Sequence, residues 1–186
     1  MSAKIKLIGY GSLINRTSLR KTIEGPFNLQ EVWVRGYKRV FDLKAVKQLY
    51  EPWDTDVAVL NVEKCKGAKF NAIVYEVSLT QYHNLLKREK TYKLIKVKYS
   101  DYTTNKIAGE AFLFLGLEQF IHRNLNPRTH YFHICRKGAY AISREYGAVW
   151  DKTTFLANGK RVSELGNHLI KLNKYHQIEN PYPEKI

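Results

Sequence analysis

Hydrophobic and polar residues alternate along much of the first two thirds of the chain, and this two-residue period is typical of half-buried β-strands. The predicted strands cover residues 4–10, 31–43, 56–63, 70–77, 93–99 and 110–116. Gly36 predicts a bulge or bend inside the second strand. The CKGAK segment between the third and fourth strands contains Gly67, so it predicts the turn of a hairpin.

A 3.6-residue period, bounded by capping residues, predicts helices elsewhere. The expected N-caps are Asn15 or Thr17, Ser78, Asn126 and Ser163. Gly25-Pro26 should end the first helix, and Gln81 completes a capping box with Ser78. Pro127 suits the first position of the third helix. Asn158-Gly159 predicts one more hairpin, over residues 155–162.

The order of these elements predicts the fold class. Strands and helices do not alternate regularly, so the pattern favours an α+β fold over a parallel α/β sheet. We expect a mixed or antiparallel sheet that curls toward a small β-barrel with flanking helices. No repeat, low-complexity segment or linker divides the 186 residues. A single domain over 1–186 is therefore expected, with a less recognisable C-terminal extension from about residue 147.

The charge balance indicates anionic partners without choosing among them. Lys and Arg number 31 against 17 Asp and Glu, which gives a net charge of +14. Such a field attracts acidic small molecules, nucleic acid or an anionic membrane surface. No apolar run approaches the ~18 residues of a membrane span, and Cys65 and Cys135 stand alone. We therefore expect a soluble cytoplasmic protein without a membrane partner; no pattern indicates its oligomeric state.

The GYGSL segment, residues 9–13, places two glycines and a serine where the first strand ends. Gly11 has no side chain to block a ligand, and Ser12 adds a hydroxyl. Exposed backbone N–H groups before a helix favour an anion, either a carboxylate or a phosphate. The third glycine of the dinucleotide fingerprint and the P-loop pattern are both missing, so the loop suits a smaller anionic group. Alternatively, the glycines serve only a tight turn.

Glu89 is the second candidate for chemistry. Tyr82, Leu85, Leu86 and Glu89 fall on one face of the predicted helix. A carboxylate at the end of an apolar stripe either has a buried partner or lines a pocket. The alternative is a glutamate at a helix end that tilts to solvent or pairs with a nearby cation.

These two segments together resemble the gamma-glutamylcyclotransferase-like superfamily, in particular its ChaC branch. The matching motifs are Tyr10-Gly11-Ser12-Leu13 and Arg88-Glu89-Lys90-Thr91-Tyr92, and the resemblance covers roughly residues 5–135. NPRTHY, which ends at Tyr131, is similar to a later segment whose tyrosine faces the substrate. Two departures concern the substrate: Ile14-Asn15 follow the loop where the branch usually has an aromatic residue, and Lys90-Thr91 replace a frequent glycine pair.

The resemblance implies an enzyme of the lyase or acyltransferase type that needs no cofactor and no metal. The reaction would cyclise a γ-glutamyl group to 5-oxoproline and release its amine, with glutathione or a γ-glutamyl amino acid or amine as the small-molecule substrate. Glu89 is the implied catalytic residue, acting as base and then as acid. The implied substrate-binding residues are Tyr10, Gly11, Ser12, Leu13, Tyr92 and Tyr131.

Three other features of the sequence invite a different interpretation. His130, His133 and Cys135 form H-x-x-H-x-C, but Cys135 turns away from His130 on a helix and fits the core, so no metal site is expected. Neither cysteine has the motif of a catalytic nucleophile. The KTYKLIKVKYSDY segment interleaves basic and aromatic residues as nucleic-acid-binding surfaces do. A non-catalytic or nucleic-acid-binding protein is thus the alternative, with nucleic acid possible but not favoured.

Overall fold

The computed structural model describes residues 4–23, 28–45 and 57–166. Within these ranges the strands are β1 (Ile5–Gly9), β2 (Gln30–Lys44), β3 (Val57–Val77), β4 (Tyr92–Asp101), β5 (Ile107–Gly116), β6 (Asn126–Pro127) and β7 (Thr154–Leu156). The α-helices are α1 (Arg16–Arg20), α2 (Leu79–Arg88), α3 (Thr129–Ile142) and α4 (Arg144–Thr153). Short 3₁₀ helices span Ser12–Ile14, Glu118–Phe120 and Val162–Glu164. No helix in these ranges is long and apolar enough to cross a membrane.

Five strands close into a barrel in the order β3-β1-β5-β4-β2, because β2 pairs back with β3. The β1–β5 pair is parallel, and the other four pairs around the barrel are antiparallel. The short strands β6 and β7 extend the sheet by pairing in parallel with β3 and β2. The predicted α+β fold, with a mixed sheet curled into a small barrel, is therefore confirmed.

The hairpin predicted at CKGAK is wrong, because β3 is one continuous strand across this segment. Val34 pairs with Phe70 and Arg39 pairs with Val62, so both halves of β3 run antiparallel to the same partner, β2. The register shifts where β2 contains Gly36, whose φ is +78°. The extra residues of CKGAK are thus accommodated as a bulge opposite Gly36. Since β2 supplies hydrogen bonds along its whole length, the two halves of β3 need not pair with each other.

The predicted starts of α1 and α2 are confirmed by their caps. The Asn15 side chain accepts a hydrogen bond from the Ser18 N–H at 3.1 Å. Ser78 and Gln81 form the reciprocal capping box, with bonds of 3.3 and 2.9 Å. The end of the first helix predicted at Gly25-Pro26 lies outside the described residues.

The third helix starts later than predicted. Asn126 and Pro127 form β6 instead of a cap and a first helical turn, since Asn126 pairs with Val57 of β3. The next residue, Arg128, donates its N–H to the Ala58 carbonyl at 2.9 Å and only then does α3 begin. The neighbouring strand β3 has thus taken up the backbone groups that a helix would have used.

The chain after α3 contains a second helix and a tight hairpin. Ser143 ends α3 and caps α4, accepting a hydrogen bond from the Tyr146 N–H at 3.0 Å. The hairpin predicted at Asn158-Gly159 is confirmed: Leu156 donates to the Lys160 carbonyl at 2.8 Å, and Gly159 has φ +84°. Ser163 lies inside a 3₁₀ helix, and the rest of the predicted last helix lies outside the described residues.

The core fills the barrel and the space under α3 and α4. Phe41 of β2 is fully buried, and its ring centroid lies 5.5 Å from that of Phe132 on α3 and 6.4 Å from that of Trp150 on α4. Each of these side chains contributes on the order of 1.5–3 kcal/mol by burial. This packing fixes the two helices on the barrel and thereby places the start of α3 beside the loop after β1.

Candidate active site

A cavity of about 240 Å³ opens where β1 and α2 both end. All seven residues singled out from the sequence line it: Tyr10, Gly11, Ser12, Leu13, Glu89, Tyr92 and Tyr131. They come from four separate parts of the chain, namely the loop after β1, the end of α2, the start of β4 and the first turn of α3. The tertiary structure therefore brings the whole predicted set to one place.

The loop after β1 presents backbone donors to this cavity. Ser12–Ile14 form a single 3₁₀ turn, in which Ile14 donates to the Gly11 carbonyl at 3.0 Å. The first N–H groups of such a turn have no partner inside it. Among the described residues, no backbone or side-chain acceptor takes the N–H groups of Gly11, Ser12 or Leu13. The loop can thus donate several hydrogen bonds to an anion.

The two glycines of GYGSL serve different purposes. A Cβ atom at Gly9 would meet Ile73, Tyr75 and Leu13 at 3.1–3.3 Å, so this glycine permits close packing of the end of β1. A Cβ atom at Gly11 would lie only 2.6 Å from the Tyr131 hydroxyl. The φ of Gly11 is −112°, which is not left-handed, so the missing side chain at this position leaves room for Tyr131.

Glu89 lies immediately after the last residue of α2, at its C-cap. Its N–H donates to the Leu85 carbonyl at 2.9 Å and its carbonyl accepts from the Tyr92 N–H at 3.0 Å, which fixes the backbone on both sides. The side chain is 17% exposed. Burial raises the pKa of the Glu89 carboxyl, and the neighbouring Arg88 guanidinium opposes part of this increase. The site therefore holds a carboxyl with increased proton affinity.

The helix face predicted to lead to Glu89 is narrower than expected. Leu85 is fully buried and Tyr82 packs against the core as a partly buried residue, but Leu86 is 36% exposed. Because α2 lies on the outside of the barrel, only one row of its side chains reaches the core. Glu89 is 17% exposed and lines the cavity, and it also pairs with the Arg88 guanidinium, as the alternative interpretation expected.

Arg88 also lines the cavity, although the sequence pattern indicated only a cation near Glu89. Its Nε lies 3.2 Å from Glu89 Oε1, and its Nη2 donates to the Ser12 hydroxyl at 3.3 Å. Its Nη1 donates to the Thr22 hydroxyl, which follows α1. Arg88 thus connects Glu89 to the loop. The position of Arg88 directly before Glu89 in the motif was the sequence signal that could have identified it as a site residue.

The tyrosines of the cavity hold its walls in place. Tyr92 donates its hydroxyl to the Leu60 carbonyl at 2.7 Å, and Tyr10 donates its hydroxyl to the Phe114 carbonyl at 2.7 Å. Both hydroxyls are therefore committed to the barrel. The ring of Tyr131 lies edge-on to Phe41, with centroids 6.4 Å apart, and its hydroxyl is over Gly11.

Cations outnumber carboxylates around the cavity. Lys21, Lys44 and Arg88 line it, against Glu89 as the one acidic residue among the described lining residues. Lys21 follows α1 and Lys44 ends β2, and neither position carries a local sequence signal for a binding role. A site of this composition favours a ligand with more than one negative group.

In the part of the chain that the structure describes, the other candidate motifs form no comparable site. Within the described ranges, no group of three or more His, Cys, Asp or Glu residues could hold a metal ion. Cys135 is fully buried, and burial raises the pKa of its thiol, which disfavours the thiolate. On β4, Lys96 is exposed and pairs with Glu110 at 2.7 Å, while its neighbour Val97 is buried. This alternation is that of an ordinary sheet with one face in solvent.

Comparison with known proteins relates this fold to gamma-glutamyl cyclotransferases. No protein-family model and no curated protein sequence matches the chain. A solved gamma-glutamyl cyclotransferase is 15% identical, with a TM-score of 0.63 over 91% of this chain and 99% of that one. An uncharacterized protein from Homo sapiens is 16% identical, with a TM-score of 0.62 over 90% and 98%. A gamma-glutamyl cyclotransferase from yeast, specific to glutathione, is 13% identical, with a TM-score of 0.51 over 100% and 91%. The chain has the gamma-glutamylcyclotransferase fold.

Proposed function

We propose that the protein is a gamma-glutamylcyclotransferase-type enzyme of the ChaC-like branch, which converts a γ-glutamyl compound to 5-oxoproline and a free amine without a cofactor. The observation that carries the proposal is one small cavity that combines two features: backbone N–H groups at Gly11–Leu13 that no acceptor among the described residues takes, and the largely buried carboxyl of Glu89. Those two features are what an internal acyl transfer requires of a protein. The fold supports the assignment, and the site residues carry the chemistry.

The first requirement is to fold the substrate so that its own amine reaches its own carbonyl. Both reacting groups belong to one molecule, so holding it in a near-attack shape supplies much of the acceleration. In this proposal the N–H groups of Gly11, Ser12 and Leu13 bind the α-carboxylate and the γ-carbonyl oxygen. Donors already in place for the oxyanion stabilise it without reorganisation. In this proposal, Tyr92 and Tyr131 form other walls of the cavity and limit where the ligand can lie.

The second requirement is proton transfer from the attacking nitrogen to the departing one. The α-ammonium group loses one proton before it attacks the γ-carbonyl carbon and a second as the ring amide forms. The departing nitrogen gains both, one when the C–N bond breaks and one as the released amine becomes an ammonium group. Glu89 mediates the transfer, first as base and then as acid, so that it ends in its starting state. A raised pKa suits this double role, because a carboxylate of higher proton affinity is the stronger base.

The charge of the cavity supports a proposal for the leaving amine. Lys21 and Lys44 line the cavity in addition to Arg88 and add to its positive charge. We propose that they favour leaving groups with a carboxylate, such as the dipeptide released from glutathione or an amino acid, over simple amines. A cytoplasmic location fits this substrate class and stays a prediction.

The test is product formation. Purified protein is incubated at neutral pH with glutathione, γ-glutamyl amino acids and γ-glutamylamines, and 5-oxoproline is measured by mass spectrometry. An α-glutamyl dipeptide is the matched control, since cyclisation of its glutamate does not break the peptide bond. We expect 5-oxoproline together with the free amine from γ-linked compounds and none from the control. A folded protein that is silent on the whole panel would contradict the proposal and direct attention to salt-dependent binding of RNA or DNA.

A further inference from the structure

Arg39 is a buried charge that the proposed mechanism does not use. It lies in the middle of β2 and has no solvent exposure. Its guanidinium donates to the Thr154 hydroxyl (2.8 Å), the Asn71 carbonyl (2.8 Å) and side-chain oxygen (3.1 Å), the Trp150 carbonyl (3.2 Å), the Thr153 hydroxyl (3.2 Å) and the Tyr10 carbonyl (3.3 Å). These acceptors belong to β3, α4, β7 and the loop after β1.

No carboxylate is among these acceptors. Among the described residues, the Asp151 carboxylate acts on the guanidinium only through space, and it is hydrogen-bonded to Arg136 instead. The guanidinium carbon lies 4.8 Å from the centroid of the Trp150 ring and 5.4 Å from that of Phe70. Burial lowers the pKa of Arg39 to about 9, which leaves it protonated at neutral pH. Burying a cation without a directly bonded carboxylate is costly. Neutral side chains could connect the same strands at lower cost, so the connection of strands alone does not explain a charged residue at this position.

One of the six acceptors connects Arg39 to the cavity. The Tyr10 carbonyl and the Gly11 N–H belong to one peptide group, and in a trans peptide these two bonds point in opposite directions. Arg39 holds the carbonyl from inside the barrel, so the N–H is directed away from Arg39. Gly11 lines the cavity, and none of the described acceptors takes its N–H. A cation on the carbonyl also polarises the peptide and strengthens the N–H as a donor.

We infer that Arg39 is a positioning residue for the proposed cyclotransfer: it orients and polarises the Tyr10–Gly11 peptide so that the Gly11 N–H donates to an anionic oxygen of the substrate. The inference rests on the proposed function, because it names how that site holds its ligand. Arg39 itself is not among the lining residues of the cavity, so in this inference it acts on the substrate only through the peptide.

The experiment observes the Gly11 amide directly. Tyr-Gly occurs twice in the sequence, at Tyr10-Gly11 and at Tyr146-Gly147. Labelling with ¹³C-carbonyl tyrosine and ¹⁵N-glycine therefore selects only these two amides in a carbonyl-filtered NMR spectrum. Gly147 donates to the Ser143 carbonyl inside α4 at 3.0 Å and serves as the internal control. The product 5-oxoproline is the titrated ligand, and its binding is also followed by calorimetry.

In the wild-type protein, we expect 5-oxoproline to shift the Gly11 proton downfield and to leave Gly147 unchanged. Arg39→Lys keeps the charge but not the planar set of donors, so the Gly11 shift should shrink and kcat/KM should fall about 10- to 100-fold, below the loss for a whole oxyanion donor. Arg136→Lys is the matched control: Arg136 binds Asp151 at 2.8–3.2 Å between α3 and α4 and does not line the cavity. It should preserve both readouts.

The possible outcomes separate the two proposals. If the wild type turns over γ-glutamyl compounds but its Gly11 amide does not respond to bound product, the role of Arg39 is refuted and the function stands. The role of Arg39 is likewise refuted, and the function stands, if Arg39→Lys and the wild type show the same shift of the Gly11 amide and the same kcat/KM. If Arg39→Lys does not fold, the inference is tested on the wild type alone, and a Gly11 amide that does not respond to bound 5-oxoproline refutes it. Absence of both turnover and 5-oxoproline binding in the wild type refutes the function and this inference with it.

Discussion

Replacement of Glu89 by glutamine is the most informative single change, since it removes the proton-transfer group while keeping nearly the same size. The backbone of residue 89 is held by bonds to Leu85 and Tyr92 that the substitution does not touch. Loss of a positioned general acid–base typically costs 10²- to 10⁴-fold in rate. Because Glu89 is proposed to act in two successive proton transfers, we expect a loss of kcat near the upper end, about 10⁴-fold.

Glu89→Gln should lose activity but should not lose stability. The pKa of Glu89 is higher in the folded chain than its ordinary value, so folding favours the protonated form. Such a group is neutral for stability at low pH and becomes destabilising as the pH rises from the ordinary pKa through the raised one. Each tenfold increase in proton affinity corresponds to about 1.4 kcal/mol. Glu89→Gln should therefore be as stable as the wild type at low pH and more stable above that window.

The assay combines 5-oxoproline production with urea unfolding across pH. Glu118 provides the matched control, because it lies in a 3₁₀ helix outside the cavity and Glu118→Gln makes the same chemical change there. Retention of more than about a tenth of the wild-type kcat in Glu89→Gln would refute the proposed acid–base role. A large loss of stability in this variant at neutral pH would refute the reasoning from the raised pKa.

Three further predictions concern the walls of the cavity. Gly11→Val should lose most activity because its Cβ would lie 2.6 Å from a tyrosine hydroxyl, whereas Ser12→Ala should be milder since the loop acts through its backbone; steady-state kinetics compares them. Arg88→Met removes the cation that lowers the pKa of Glu89, so the acidic limb of the kcat/KM profile should move to higher pH. Tyr92→Phe leaves a β3 carbonyl without its 2.7 Å donor and should cost about 1–3 kcal/mol in urea unfolding. An unchanged profile or an unchanged midpoint would contradict the last two.

Local patterns were sufficient for most elements of the fold. The capping box at Ser78 and the side-chain cap at Asn15 were readable because they involve residues three positions apart. The alternation along β4 and β5 was readable because one side of each strand faces solvent. The CKGAK segment is ambiguous for a physical reason: a glycine with φ +82° fits a hairpin turn and a bulge equally well. Only the partner strand β2 distinguishes them.

The sequence by itself determined which side of each element is apolar and which residues are suited to chemistry, because periodicity, caps and motifs are properties of neighbouring positions. The tertiary structure decided what those residues can do. It set Glu89 beside a loop more than 70 positions earlier, placed the Tyr131 hydroxyl over Gly11, and directed Arg39 to the carbonyl of Tyr10. The tertiary structure also decided the proton affinity of Glu89, since this affinity depends on how much water remote segments exclude from the carboxyl. Desolvation and long-range contact have no local pattern, so they become visible only when the chain is folded.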